Sequence, residues 1–225
     1  MTPLRWAIFG AIFIVILGAL VLTKQSDNID VSNVNENKAV TKKSESEIAD
    51  HIYGNKDSKV TLIEYGDFQC PGCGGLHPNL KPVVEANKEN IAFIFRNFPL
   101  SSIHPNALAA ASAAEAAGMQ DKFWEMHDLL FENQDAWSNA KLEDRTKVFE
   151  DYAKQLELDM DKFREDVESK VVSQKIKRDQ ALGKKAGVES TPTLVLNGKK
   201  LSQDQFSSKE ALEKTIANAI KENNQ

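Results

Sequence analysis

Two apolar runs, KVTLIEYGDF at Lys59–Phe68 and IAFIFRNFP at Ile91–Pro99, constrain this chain more than any other feature. β-Branched and aromatic residues dominate both, and Gly66 and Asp67 punctuate the first, so each reads as a strand. The segment between them is long enough for the helical crossover that parallel strands require. The expectation is an α/β fold built on a βαβ unit. With 225 residues, 41% hydrophobic and 27% charged, the chain can bury one sizeable core around that unit.

Both cysteines lie in FQCPGCGGLHP, at the turn from the first strand into the crossover helix, where Pro71 suits the first helical turn. Three uses of the pair compete: a structural crosslink, half of a metal site, or a reversible redox couple. A crosslink gains most by closing a long loop, and this pair closes one of the shortest. Zinc needs further ligands from His51, His77, His104 or His127, yet no second CxxC and no HxxxH occurs. Redox chemistry leads, and the helix N-terminus is its physical reason. Unsatisfied backbone N–H groups and the helix dipole stabilise an anion there. Cys70 is therefore expected to be the nucleophilic thiolate, able to accept from the N–H of Gly72 or Cys73. Pro71 contributes no donor and Gly72 no side chain. Cys73, one turn into the helix, is expected to be the more buried, resolving thiol.

Other classes are disfavoured. A net charge of −5, from 33 acidic and 28 basic residues without a basic cluster, argues against a nucleic-acid partner. Neither GxxxxGK nor GxGxxG is present to hold a phosphate. The N-terminus departs from this soluble pattern, because WAIFGAIFIVILGALVL at Trp6–Leu22 is uncharged and near the short end of the ~17 to 25 residues that span a bilayer. Residues 1–23 are accordingly read as a single-pass membrane anchor or a signal, with the rest of the chain in an extracytoplasmic space. Residues 24–47 are polar and lack aromatics, which reads as a flexible tether.

Glu64 alternates with Val60 and Leu62, so it is expected to point into the protein beneath the cysteines. Burial would raise its pKa and suit it to accept the Cys73 proton through water, whereas an exposed strand-edge glutamate is the plainer alternative. His77 sits one turn after Cys73 and reads either as a donor to a thiolate or as a residue of the helix face. Pro78 and Pro82 conflict with one straight helix and predict a kink or break.

EYGDFQCPGC, RNFPLSSIHPNALAAASAAEAAGMQDKFWEMHDLLF and STPTLVLNG, in that order, resemble the DsbA-like thiol-disulfide oxidoreductases of the thioredoxin superfamily. The likeness implies a thioredoxin fold at 48–225 with a helical insertion at about 104–186, where helical periodicity does dominate. It implies a cis Thr191–Pro192 bond facing the CxxC, with Thr191 free to pair with an extended substrate segment. It also implies the reaction: the Cys70–Cys73 disulfide oxidises exported proteins with free cysteines, without a soluble cofactor or a metal. A quinone-linked membrane partner of the DsbB or vitamin K epoxide reductase type then restores it. The dipeptide departs from the family's strong oxidants, which carry a histidine where this chain has Gly72. That keeps a reductase or isomerase open, and a metal-binding or chaperone module using Cys70, Cys73 and His77 remains the reading from another class.

Overall fold

The computed structural model describes residues 29–41 and 47–223. The first apolar run forms β2 (Thr61–Gly66) and the second β3 (Ala92–Asn97), paired in parallel with Glu64 opposite Phe95. The helix α1 (Pro71–Ala86) crosses between them. Antiparallel β1 (Ile52–Gly54) flanks β3; β4 (Thr193–Leu196) and β5 (Lys199–Lys200) continue the sheet beyond β2, in the order β1-β3-β2-β4-β5. Between β3 and β4 lie α2 (Ala107–Gly118), α3 (Phe123–Glu132), the single turn α4 (Gln134–Trp137), α5 (Leu142–Gln155), α6 (Met160–Val167) and α7 (Lys170–Lys185). A final helix, α8 (Lys209–Asn223), closes the fold. The α/β thioredoxin-like architecture with a helical insertion is thus present.

Alternation along β2 divides the core. Leu62 packs with Leu76, Leu80 and Val83 of α1 and with Leu212 and Ile216 of α8; Ile63 and Tyr65 pack on the opposite face with Leu182 of α7. Residue 64 shares the α1 face with residue 62 by strand periodicity. Gly66 ends β2 where a Cβ would come within 2.3 Å of the Phe95 ring, so only glycine fits.

Three expectations are corrected. The helix α1 runs through Pro78 and Pro82 without the break that was one of the two expected outcomes. Each proline costs about 3 kcal/mol, but burying Leu76, Leu80, Val83 and Val84 returns roughly 1.5–3 kcal/mol apiece. Part of the supposed tether is also docked: residues 29–41 lie against the body. Arg96 of β3, fully buried, donates to the carbonyls of Glu36 and Lys38, while Lys185 donates to those of Val31, Ser32 and Val34. Composition missed this because cations seeking carbonyls, the buried Arg96 and the exposed Lys185, and not apolar side chains alone, hold the strap. Finally, the single-pass membrane placement is not retained, because among the described residues no helix is long and apolar enough to cross a membrane. The run at 6–22 that suggested it lies outside the described residues.

Candidate active site

Cys70 ends the β2–α1 turn as the N-cap residue of α1, in extended conformation (φ −67°, ψ 122°), with Pro71 following it in the first turn. No side chain caps this helix and no acidic residue occupies its first turn. The sulfur of Cys70 is thus the anion available to the positive end of the helix. Both cysteines are thiols in this structure, Cys70 8% and Cys73 1% exposed.

Their environments drive them apart. A hydrogen bond from the Cys73 thiol stabilises the Cys70 thiolate most, and the Thr191 hydroxyl and the backbone of Cys73 and Gly72 add to it, bringing Cys70 from 9.0 down to about 5. As a thiol, Cys70 instead donates to the Thr191 carbonyl at 3.4 Å. The Thr191 hydroxyl is buried without another partner among the described residues, which leaves it for the thiolate. Cys73 moves the other way: burial, the bond it gives to Cys70 and the nearby Glu64 raise it well above 9.0. Its sulfur accepts from the Asp67 N–H at 3.5 Å. One thiol is prepared to be attacked or to leave, and its neighbour keeps its proton until a base removes it.

Glu64 is 3% exposed, and burial, with the Cys70 charge second, pushes it up to about 8. A carboxyl titrating near neutrality beside a reluctant thiol can accept a proton and return it. The Thr191–Pro192 bond is cis, and a Cβ on Gly72 would lie 3.2 Å from Pro192 Cδ and 3.6 Å from Cys70 Sγ. The structure therefore gathers Cys70, Cys73, Glu64, Gly72, Thr191 and Pro192 in one place, with Pro71 opening the helix. His77 is not part of the group. It faces α3, where its Nε2 lies 3.8 Å from Asp128 and its ring stacks on Phe131. Among the described residues, no metal-ligating cluster joins it to the two thiols.

Sequence reasoning missed the supports. Gln134 of α4 donates to the carbonyls of Phe68 and Cys70, at 2.7 and 3.0 Å, pinning the turn to the insertion. Gly74 makes room for it, since a Cβ there would fall 2.6 Å from Gln134 Oε1. Asp67, 1% exposed, accepts from the N–H of Gln69 and Leu100 and binds His104 Nδ1 at 2.7 Å. It fixes the N–H that points at Cys73. Asp67 could have been singled out as an acidic strand end next to the motif; nothing local announces Gln134.

A family model described as Thioredoxin matches residues 46–218. Among curated proteins, the Na(+)/H(+) antiporter NhaA 1 of Salinispora arenicola is 40% identical over 151 residues, 67% of this chain and 22% of the antiporter. NhaA 3 of Salinispora tropica is 38% identical over the same shares. The chain thus matches about a fifth of the length of these relatives. Among solved structures, oxidised BdbD from Bacillus subtilis superposes with a TM-score of 0.66 at 23% identity, over 82% of this chain and 99% of that one. Wolbachia pipientis alpha-DsbA1 gives 0.66 at 22%, over 77% and 92%. DsbA2 of Pseudomonas aeruginosa gives 0.57 at 25%, over 77% and 93%. The likeness to DsbA-like oxidoreductases read from three short motifs is found again in the fold.

Proposed function

We propose, from the premise that the chain belongs to the thioredoxin family, that it is a dithiol oxidase that introduces disulfides into other proteins. The observation that carries this reading is the Cys70 thiolate, held near 5 at the N-terminus of α1. Stabilising the reduced protein as its thiolate makes the corresponding disulfide easier to reduce, and so a better oxidant.

A substrate thiolate attacks Cys70 Sγ of the Cys70–Cys73 disulfide. The S–S bond breaks, Cys73 leaves with the electron pair, and a mixed disulfide forms at Cys70. Glu64, protonated below about pH 8, supplies the proton that Cys73 takes up. A second substrate thiolate then attacks the substrate sulfur, which becomes the new disulfide and releases Cys70 as its thiolate. Thr191 borders Cys70, and an extended substrate strand pairing with its backbone would present a cysteine to that sulfur. The dithiol returns two electrons to an oxidant, for which a quinone-linked partner of the DsbB or vitamin K epoxide reductase type is the fitting class.

Gly72 supplies no side chain to the thiolate, which marks this as an oxidant of middle strength. A Cys70 value near 5 lies between about 3.5 for a strongly oxidising DsbA and about 7 for thioredoxin, whose potentials are ~−120 and ~−270 mV. The test is the potential of the full chain equilibrated against glutathione, expected at about −200 mV at pH 7. Its slope should change from about −59 to about −30 mV per pH unit as pH rises through 5, because one of two thiols then remains ionised in the reduced form. A potential at the thioredoxin end, together with failure to oxidise a reduced, unfolded client protein, would reverse the direction of electron flow and favour a reductase.

A further inference from the structure

Two buried imidazoles meet where α1 faces the helical insertion. His77 is 7% exposed and His127, on α3, is 3% exposed. Their rings cross at 62° with centroids 5.5 Å apart, and Nε2 of each is without a hydrogen-bond partner among the described residues. Buried polar atoms are almost always paired, so two orphaned nitrogens in one place call for an explanation. Asp128 completes the group: its Oδ1 lies 3.8 Å from His77 Nε2 and 3.0 Å from His127 Nδ1. One ligand atom from each of the three residues falls within 4.8 Å of the others. The group borders a cavity of about 220 Å³ walled by Phe93 and Trp124.

We propose that His77, His127 and Asp128 bind one divalent transition-metal ion of the zinc class, with an open coordination position towards this cavity. Two imidazoles and a carboxylate are the donor set of open, three-ligand zinc sites. Metal–nitrogen bonds of ~2.0–2.1 Å require tetrahedral ligands about 3.3 Å apart, so the group must close by an ångström or so. Asp128, with a side chain 29% exposed, is the member with room to move.

Lys81 is the built-in competitor. Its ammonium lies 2.8 Å from Asp128 Oδ2 and 2.7 Å from Glu132 Oε1, and its side chain is 47% exposed. A metal would displace it to solvent and free Glu132 as well. The two cysteines are outside the cluster, so the inference stands or falls separately from the redox reading. Bound metal would fasten α3 of the insertion to the helix that carries the thiols.

Zinc titration of the full chain by calorimetry, with Cys70 and Cys73 oxidised so that neither can bind metal, tests the site. One zinc per chain is expected. Asp128→Asn and His77→Gln should each weaken binding by about 100-fold or more, and Lys81→Met should tighten it about tenfold. Asp128 is partly exposed, so its variant keeps the measurement meaningful if His77→Gln disturbs the fold. Absence of saturable binding to the oxidised chain would overturn the proposal. So would affinity unchanged in Asp128→Asn, or zinc held only after reduction, which would assign the metal to the thiols.

Discussion

Two buried electrostatic regions lie on either side of the sheet, and they treat charge in opposite ways. Behind β3, Asp50, Arg96, Lys175, Asp179 and Glu115 are all fully buried as side chains, and every one has an oppositely charged neighbour. Burial alone would raise Asp50, but Lys175 and Arg96 outweigh it and hold the carboxyl at about 2. Beside α1, Glu64 is just as buried and has no cation beside it among the described residues, so it moves to about 8. Desolvation is overcome at Asp50 and Glu115, outweighs the Lys175 attraction at Asp179, and stands without any cation at Glu64. Paired charges build structure; the carboxyl without a counter-ion keeps a proton to exchange. A depressed value appears in this second region too, at Cys70, but thiol, hydroxyl and backbone donors at a helix end achieve it without any formal cation.

Removing one partner from the paired region should produce the largest effect. Arg96→Leu removes the Asp50 carboxylate's hydrogen-bonding cation, leaving it only the more distant Lys175, and leaves the carbonyls of Glu36 and Lys38 without their donor, so chemical denaturation should show a loss of about 3–5 kcal/mol. Proteolysis within residues 29–41 should accelerate in parallel. A loss below about 1 kcal/mol would place this network with surface ion pairs and dissolve the contrast.

The unpaired region should respond with the opposite sign. Because Glu64 titrates near 8 when folded rather than at 4.5, its contribution to stability is complete below pH 4.5 and is lost as pH rises towards 8. Glu64→Gln should therefore stabilise the reduced protein by about 3 kcal/mol at pH 7 and hardly at all at pH 4. With a client that carries a single cysteine, the same variant should slow reversal of the mixed disulfide at Cys70, in which Cys73 must give up its proton, by about 10²-fold, read by quenching with acid and mass analysis. Equal stability gains at both pH values would mean that the carboxyl is not desolvated as described.

Thr191→Val sharpens the comparison with the smallest change. Losing the hydroxyl that serves the thiolate should raise Cys70 by about one pKa unit and lower the reduction potential by about 30 mV, with stability of the oxidised protein unaltered. Ultraviolet absorbance of the thiolate follows the first quantity and glutathione equilibration the second. An unchanged titration would leave Cys73 and the helix end as the whole cause.

Much of the catalytic end was legible because its determinants are local. Strand, cysteine, proline and helix succeed one another from Thr61 to Ala86, and strand alternation alone put Glu64 on the α1 face. Thr191 and Pro192 are distant in sequence, and the resemblance, not any periodicity, linked them to the thiols. Gln134 and His104 stayed hidden because their roles exist only after the insertion folds back onto the turn. The unbroken helix through Pro78 and Pro82 was missed for a related reason: local propensity charges the cost, and tertiary burial offsets it. Residues 29–41 escaped because a compositional argument counts apolar side chains and is blind to main-chain carbonyls.

That strap also separates two boundaries that are commonly drawn as one. The family model begins its match at residue 46, whereas the described fold has Val40 in its core and exchanges hydrogen bonds between Val40 and Asp50. Kinship with the family therefore starts later along the chain than physical integrity does. A fragment cut at the homology boundary would carry the whole catalytic motif while exposing Arg96 to solvent it does not otherwise meet and leaving Lys185 without the carbonyls of Val31, Ser32 and Val34. Its redox properties would be those of a partly unlatched molecule.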